Sequence, residues 1–313
     1  MTKTHHPEHL LDRVAMAVMR LMIGGMKGSI TGPDARKPFD ELMEKVPSAG
    51  GVTYEPAEVG GIPGWWCQPK DAVSNAAILY FHGGAYVVGS AKAYQHFAGQ
   101  LAARTKVAAF VPEYRRAPES IFPAAVNDAQ AAYDGLVDKG FTNIAISGDS
   151  AGGGLALITL SLATRKARDG SGVRPICASV ISAWTDLSLS GDSMVTVAEA
   201  DPLSTKDSLA STAKLYLNGH DARDPLASPL FGDLSGLPPV RMDVGEDDIL
   251  LDDSVRYVAQ LETAGGIAEA HTWQGMIHVF PSNVTLLKAA KEALDDIAVF
   301  LRQHLVIGST IAT

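Results

Sequence analysis

The chain has 313 residues, a formal net charge of −9, 46% apolar residues and 19% charged residues. That is enough apolar material for one large packed domain, and it excludes a disordered chain. An acidic protein without basic runs is a poor match for phosphate backbones and anionic surfaces, so neither nucleic acid nor membrane insertion is expected.

In chain order, residues 1–50 read as helical. Leu10, Leu11, Val14, Val18, Leu21 and Met22 carry the spacing of an amphipathic helix. Asp12, Arg13 and Arg20 interrupt that stretch, no small-residue cleavage site follows, and no apolar run approaches the roughly 18 residues that cross a bilayer. Met1, Met16, Met19, Met22, Met26 and Met43, six of the nine methionines, fall in this segment. From residue 52 onward, short strand-like runs alternate with helices. A hairpin over 52–59 and 61–68 turns at Gly60-Gly61, and 76–81 is a continuous apolar strand. Ser90 caps a helix with Tyr94, Phe97 and Leu101 on one face, and 107–111 is the next strand. Pro123 opens a helix that stops at Gly140, and 143–147 is a strand leading into a helix over 153–168. Strands follow at 176–183, 240–244 and 268–273, with helices over 252–264 and 286–305. Eight strands alternating with helices predict a mostly parallel sheet covered on both faces. Segments 1–50 and 187–220 lie outside that alternation. Cys67 and Cys177 are far apart and form no C-x-x-C pair, so a reduced, cytoplasmic protein without a disulfide framework or zinc knuckle is expected.

The strand at 143–147 runs into Gly148-Asp149-Ser150-Ala151-Gly152, a G-x-S-x-G pentapeptide. A nucleophilic serine must stand above the sheet on a sharp strand-to-helix turn, with glycines where a Cβ would clash. The helix start behind it places partial positive charge where an oxyanion would form. A nucleotide loop is excluded: G-x-x-x-x-G-K-[ST] is absent, and Leu157 stands where G-x-G-x-x-G needs its third glycine. At the end of the 76–81 strand, His82-Gly83-Gly84-Ala85-Tyr86 forms a loop whose backbone can approach a substrate and donate, with Ala151, to an oxyanion. His82 is expected to order that loop rather than take part in the chemistry.

Ser150 needs a base and a carboxylate to orient it. Of nine histidines, His278 alone sits in a glycine-containing loop just beyond the last strand. For the acid, Glu246, Asp247, Asp248, Asp252 and Asp253 crowd the end of the 240–244 strand, and local sequence leaves the choice among them open.

Together, His82-Gly83-Gly84-Ala85, Gly148-Asp149-Ser150-Ala151-Gly152-Gly153, Asp248-Ile249-Leu250-Leu251-Asp252 and His278-Val279-Phe280 resemble the bacterial hormone-sensitive-lipase family of α/β-hydrolase carboxylesterases. Tyr114-Arg115-Arg116-Ala117-Pro118-Glu119, Phe122-Pro123-Ala124-Ala125 and Leu234-Ser235-Gly236-Leu237-Pro238-Pro239 resemble further signatures of the same family. The likeness runs from about residue 50 to 305. It implies an α/β-hydrolase with an eight-stranded sheet (51–186 and 221–313) and a helical cap (1–50 and 187–220). It implies Ser150 as nucleophile, His278 as base and Asp248 as acid, with oxyanion donors among Gly83, Gly84, Ala85 and Ala151. The expected activity is hydrolysis of short- to medium-chain acyl esters through an acyl-enzyme. Lactone hydrolysis or deacetylation by the same groups, and a non-catalytic ligand-binding protein of the same fold, are the alternatives. No cofactor or metal is expected; the partner is a small ester, and a homodimer is an admissible assembly. Tyr86, Val88 and Trp184 are the expected pocket walls, with early methionines at the mouth.

Overall fold

A computed structural model describes residues 2–305; Met1 and residues 306–313 of the expected hydrolase segment lie outside the described residues. The elements run β1 (Lys3–His6), α1 (Leu10–Ile23), α2 (Arg36–Met43), β2 (Val52–Val59), β3 (Ile62–Pro69), β4 (Ala76–Phe81), α3 (Ala91–Thr105), β5 (Ala108–Pro112) and α4 (Ala124–Asp138). They continue as β6 (Asn143–Asp149), α5 (Ser150–Arg168), β7 (Cys177–Ile181), α6 (Ser193–Thr196), α7 (Lys206–Leu217), β8 (Val240–Gly245), α8 (Leu251–Thr263), β9 (Ala268–Trp273) and α9 (Lys288–Leu305). One sheet takes the strands in the order β1-β9-β8-β7-β6-β4-β5-β3-β2. Among the described residues only the β2–β3 and β3–β5 pairs are antiparallel.

Alternation along β4 explains the layering. Leu79 and Phe81 face a core shared with α4, α5 and α8, while Ile78 and Tyr80 face one shared with α3 and α9. All six β4 residues are buried, as a strand covered on both faces requires. Ser90 caps α3 by accepting the Ala93 N–H at 3.2 Å, as its position predicts.

Among the described residues the sheet has nine strands, one more than the sequence pattern predicts. The addition is β1, which pairs in parallel with β9 from Lys3↔Ala270 to His6↔Trp273. Lys-Thr-His-His has no apolar period to reveal a strand. It is held by backbone pairing and by the His6 ring stacked on Trp273 at 3.7 Å. The expected 1–50 cap segment is therefore divided. Its start extends the sheet, and Met16 of α1 packs with Trp273, Met276 and Phe280. Its later part meets the 187–220 segment, where Gly28 N–H donates to Leu203 O at 2.8 Å and Lys27 Nζ to Ala198 O at 2.7 Å. The apolar stripe of α1 faces solvent rather than the interior, against the usual placement of such a face.

Candidate active site

β6 ends in extended backbone at Asp149, and Ser150 turns to φ +53° as the first residue of α5. That left-handed conformation costs a residue with a Cβ about 1–2 kcal/mol and persists where the surroundings enforce it. Here the glycines make it feasible. A Cβ at Gly148 would lie 2.5 Å from Gly152 O, and one at Gly152 would lie 2.2 Å from Phe81 O. The serine is thereby lifted to the end of the sheet.

Two further loops reach it from β8 and β9. His278 Nε2 lies 3.0 Å from Ser150 Oγ, and His278 Nδ1 lies 3.0 Å from Asp248 Oδ2. Asp248 is fully buried and also accepts the Leu250 N–H at 2.9 Å. The loops are joined by Asp247 N–H donating to Met276 O at 3.0 Å, and a Cβ at Gly245 would lie 2.1 Å from Met276 O. Burial pulls the His278 pKa down, but Asp248, then Asp201 and Asp149, outweigh it and push it up to about 9.

The other candidate acids turn elsewhere. Asp247 pairs with Arg20 at 2.5 Å, Glu246 accepts from Thr272, Asp252 accepts the Ser193 N–H, and Asp253 accepts the Thr185 and Asp186 N–H groups. His82 is buried and stacked on Tyr114 at 4.2 Å, and its Nδ1–H donates to Gly83 O. Burial takes its pKa down to about 3, so the ring is neutral. It contacts the loop and not Ser150.

In that loop Gly83 differs from its neighbours. Its N–H donates to Asp149 Oδ1 at 3.1 Å and so ties the loop to the elbow. The N–H groups of Gly84 and Ala85 have no acceptor among the described residues, and both residues line the cavity over Ser150. Ala85 and Tyr86 hold φ values of +53° and +62°, so the methyl at residue 85 sits on left-handed backbone.

Three charged residues with no role readable from local sequence complete the surroundings. Asp149 ties the elbow to the donor loop, accepting from Tyr80 Oη at 2.8 Å and Tyr94 Oη at 3.2 Å besides Gly83; burial holds its pKa up at about 6. Asp201 is buried and accepts the N–H groups of Leu203, Ser204 and Ile249, fastening the 187–220 segment to the residue after Asp248. Arg20 of α1 reaches Ala200 O, Asp247 and Gly275 O, which are neighbours of Asp201, Asp248 and the His278 loop. Motif reading misses them because each acts across long stretches of chain; the only sequence signal is a charge inside an apolar pattern.

The cavity above Ser150 measures about 170 Å³. Met26, Ile30, Phe39, Leu42 and Met43 wall it on one side, and Leu203 and Leu209 on the other. Of the early methionines, then, Met26 and Met43 reach the cavity, while Met16 packs against the hydrolase core. The expected walls Tyr86, Val88 and Trp184 do not line it. All three are fully buried behind it, Tyr86 stacked on Tyr216 at 4.0 Å and Trp184 donating from Nε1 to Asp186 O at 3.1 Å. Residues of the 1–50 and 187–220 segments line the cavity instead. Among the described residues no cluster of His, Cys, Asp and Glu is placed to hold a metal, and no helix is long and apolar enough to cross a membrane.

Known proteins share this fold. A family model described as the alpha/beta hydrolase fold matches residues 78–282. An acetyl-hydrolase of Streptomyces hygroscopicus is 35% identical over 266 residues, 84% of this chain and 87% of its own length. An esterase of Acinetobacter venetianus is 33% identical over 272 residues, 86% of this chain and 88% of its own. The crystal structure of an esterase from the bacterial hormone-sensitive lipase family superposes with a TM-score of 0.86 at 33% identity, covering 93% of this chain and 98% of that one. By sequence and by fold, the chain belongs to the bacterial hormone-sensitive-lipase family of α/β-hydrolase esterases.

Proposed function

We propose that the protein hydrolyses esters of short acyl groups through Ser150, His278 and Asp248. The observation that carries this reading is the unbroken line of hydrogen bonds from Ser150 Oγ through His278 to Asp248, set beneath a small apolar cavity. His278 Nε2 takes the Ser150 proton as Oγ attacks the ester carbonyl, and Asp248 holds the ring through Nδ1–H. Gly84, Ala85 and Ala151 donate their N–H groups to the tetrahedral oxyanion. Collapse releases the alcohol, which takes its proton from His278, and water then attacks the acyl-enzyme through the same base. The cavity favours small acyl groups: about 170 Å³ is close to the roughly 150 Å³ void that accepts one benzene. The acetyl-hydrolase named among the relatives fits that size.

The test is hydrolysis of p-nitrophenyl esters from acetate to decanoate, with Ser150→Ala and His278→Ala beside wild type. Wild type is expected to peak at or below about six carbons, with either variant reduced by about 10⁴-fold or more in kcat. A fluorophosphonate should label wild type and leave Ser150→Ala unlabelled. Full activity in either variant refutes the assignment, and a peak at decanoate refutes the short-acyl reading.

A further inference from the structure

The side of α1 that meets solvent is its apolar side. Leu10, Leu11, Val14, Val18, Leu21 and Met22 are exposed, from 53% at Val18 to 86% at Leu21. At 100° per residue they share an arc of about 120°. Polar bonds fix this orientation. On the opposite side, buried Asp12 accepts the Lys288 and Ala289 N–H groups at 2.8 and 2.7 Å, at the start of α9, and Arg20 holds the three loops around the site. Turning the stripe inward would leave Asp12 and Arg20 without these partners and open the first turn of α9. A continuous apolar surface of this kind marks a place of contact.

Where the stripe leads indicates what it contacts. From Leu21 and Met22 the chain passes to Met26, which is 43% exposed and lines the active-site cavity; Leu42, 45% exposed, lines it too. Exposed apolar side chains thus stand both on α1 and, a few residues further along the chain, at the mouth above Ser150. A second copy of the chain seated on them would lie against that entrance, whereas a bed of substrate would supply it. The net charge of −9 repels anionic lipid, so the bed is neutral. We propose that α1 docks the enzyme on the surface of a neutral, water-insoluble ester phase, with the mouth beside Met26 and Leu42 turned toward it. Amphipathic helices adsorb in this way, with the apolar face about 5–10 Å into the boundary. The proposal rests on the esterase reading above.

The experiment compares wild type with the double variant Leu11→Ser/Leu21→Ser, whose residues are exposed and touch none of the catalytic groups. Hydrolysis of tributyrin is followed across its solubility limit, binding is read by flotation with triolein droplets, and dissolved p-nitrophenyl acetate reports the chemistry alone. Wild type is expected to exceed the rate extrapolated from dissolved tributyrin by at least threefold and to float with the droplets. The variant should follow the extrapolation, remain in the aqueous layer and match wild type on p-nitrophenyl acetate. Absence of the rise and of flotation in wild type overturns the proposal, as does their persistence in the variant. It is equally overturned by light scattering that finds a dimer which the variant dissociates, since a second copy then covers the stripe. Failure of both proteins on p-nitrophenyl acetate would refute the esterase reading instead, and flotation would still decide the docking.

Discussion

His278 is partly buried among three carboxylates from separate parts of the chain: Asp248 after β8, Asp201 from the 187–220 segment and Asp149 at the elbow. Only a neutral imidazole can accept the Ser150 proton. With the His278 pKa raised to about 9 in the free enzyme, kcat/KM should climb through the alkaline range and fall about tenfold per pH unit below that midpoint. Asp201→Asn keeps an acceptor for the Ile249 N–H but removes a negative charge, so the midpoint should move to lower pH; kcat/KM profiles of both proteins check this. An unmoved midpoint would leave Asp201 only a structural role. At this scale the meeting of Ser150 with His278 was legible in the sequence because the elbow and the post-strand loop are local patterns. Asp248 could be separated from its four acidic neighbours only by family resemblance. Asp201 and Asp149 were not legible as parts of the site, since their function lies in partners 48 and 66 residues away.

Among the elements, α1 does most that its position in the chain does not suggest. Its residues Asp12 and Arg20 looked like interruptions of an apolar stretch, yet they are the groups that attach it, bonding to residues more than 200 positions later. Arg20→Ala should leave Asp247 without its cation and loosen the loops that carry Asp248 and His278. A displacement of about 1 Å at the reacting groups can cost about 10²-fold. The expected result is a kcat lowered by about 10- to 100-fold with KM changed much less, partly restored by Arg20→Lys, which keeps the charge; steady-state kinetics on a dissolved ester measures the split. The helices and strands from 52 onward were readable from periodicity and caps. α1 was readable as a helix, but which side it buries was decided by tertiary hydrogen bonds that no helical period encodes.

The whole molecule carries one stability feature that follows from burial rather than charge balance. Asp253 is fully enclosed; its Oδ2 accepts the Thr185 and Asp186 N–H groups at 2.7 and 2.9 Å, joining the loop after β7 to α8. Burial pushes its pKa up to about 8. Its folded value is above the unfolded one of about 3.9, so the contribution it makes is complete below about pH 4 and is lost as pH rises through 8. Asp253→Asn imitates the protonated acid. It should melt close to wild type at pH 5 and above it at pH 9, as thermal unfolding at the two pH values would record; equal differences at both would refute the reading. The ninth strand also bears on how copies of the protein can meet. Sheets join through open edges, and this sheet ends on one side in four-residue β1 and on the other in β2, which carries Pro56 with Glu55 and Glu58 exposed. A rail that short is a poor template for another chain, and a proline and two like charges blunt the other. Growth by strand addition is therefore disfavoured at both edges of the sheet the described residues form, which directs contacts between copies toward side-chain surfaces.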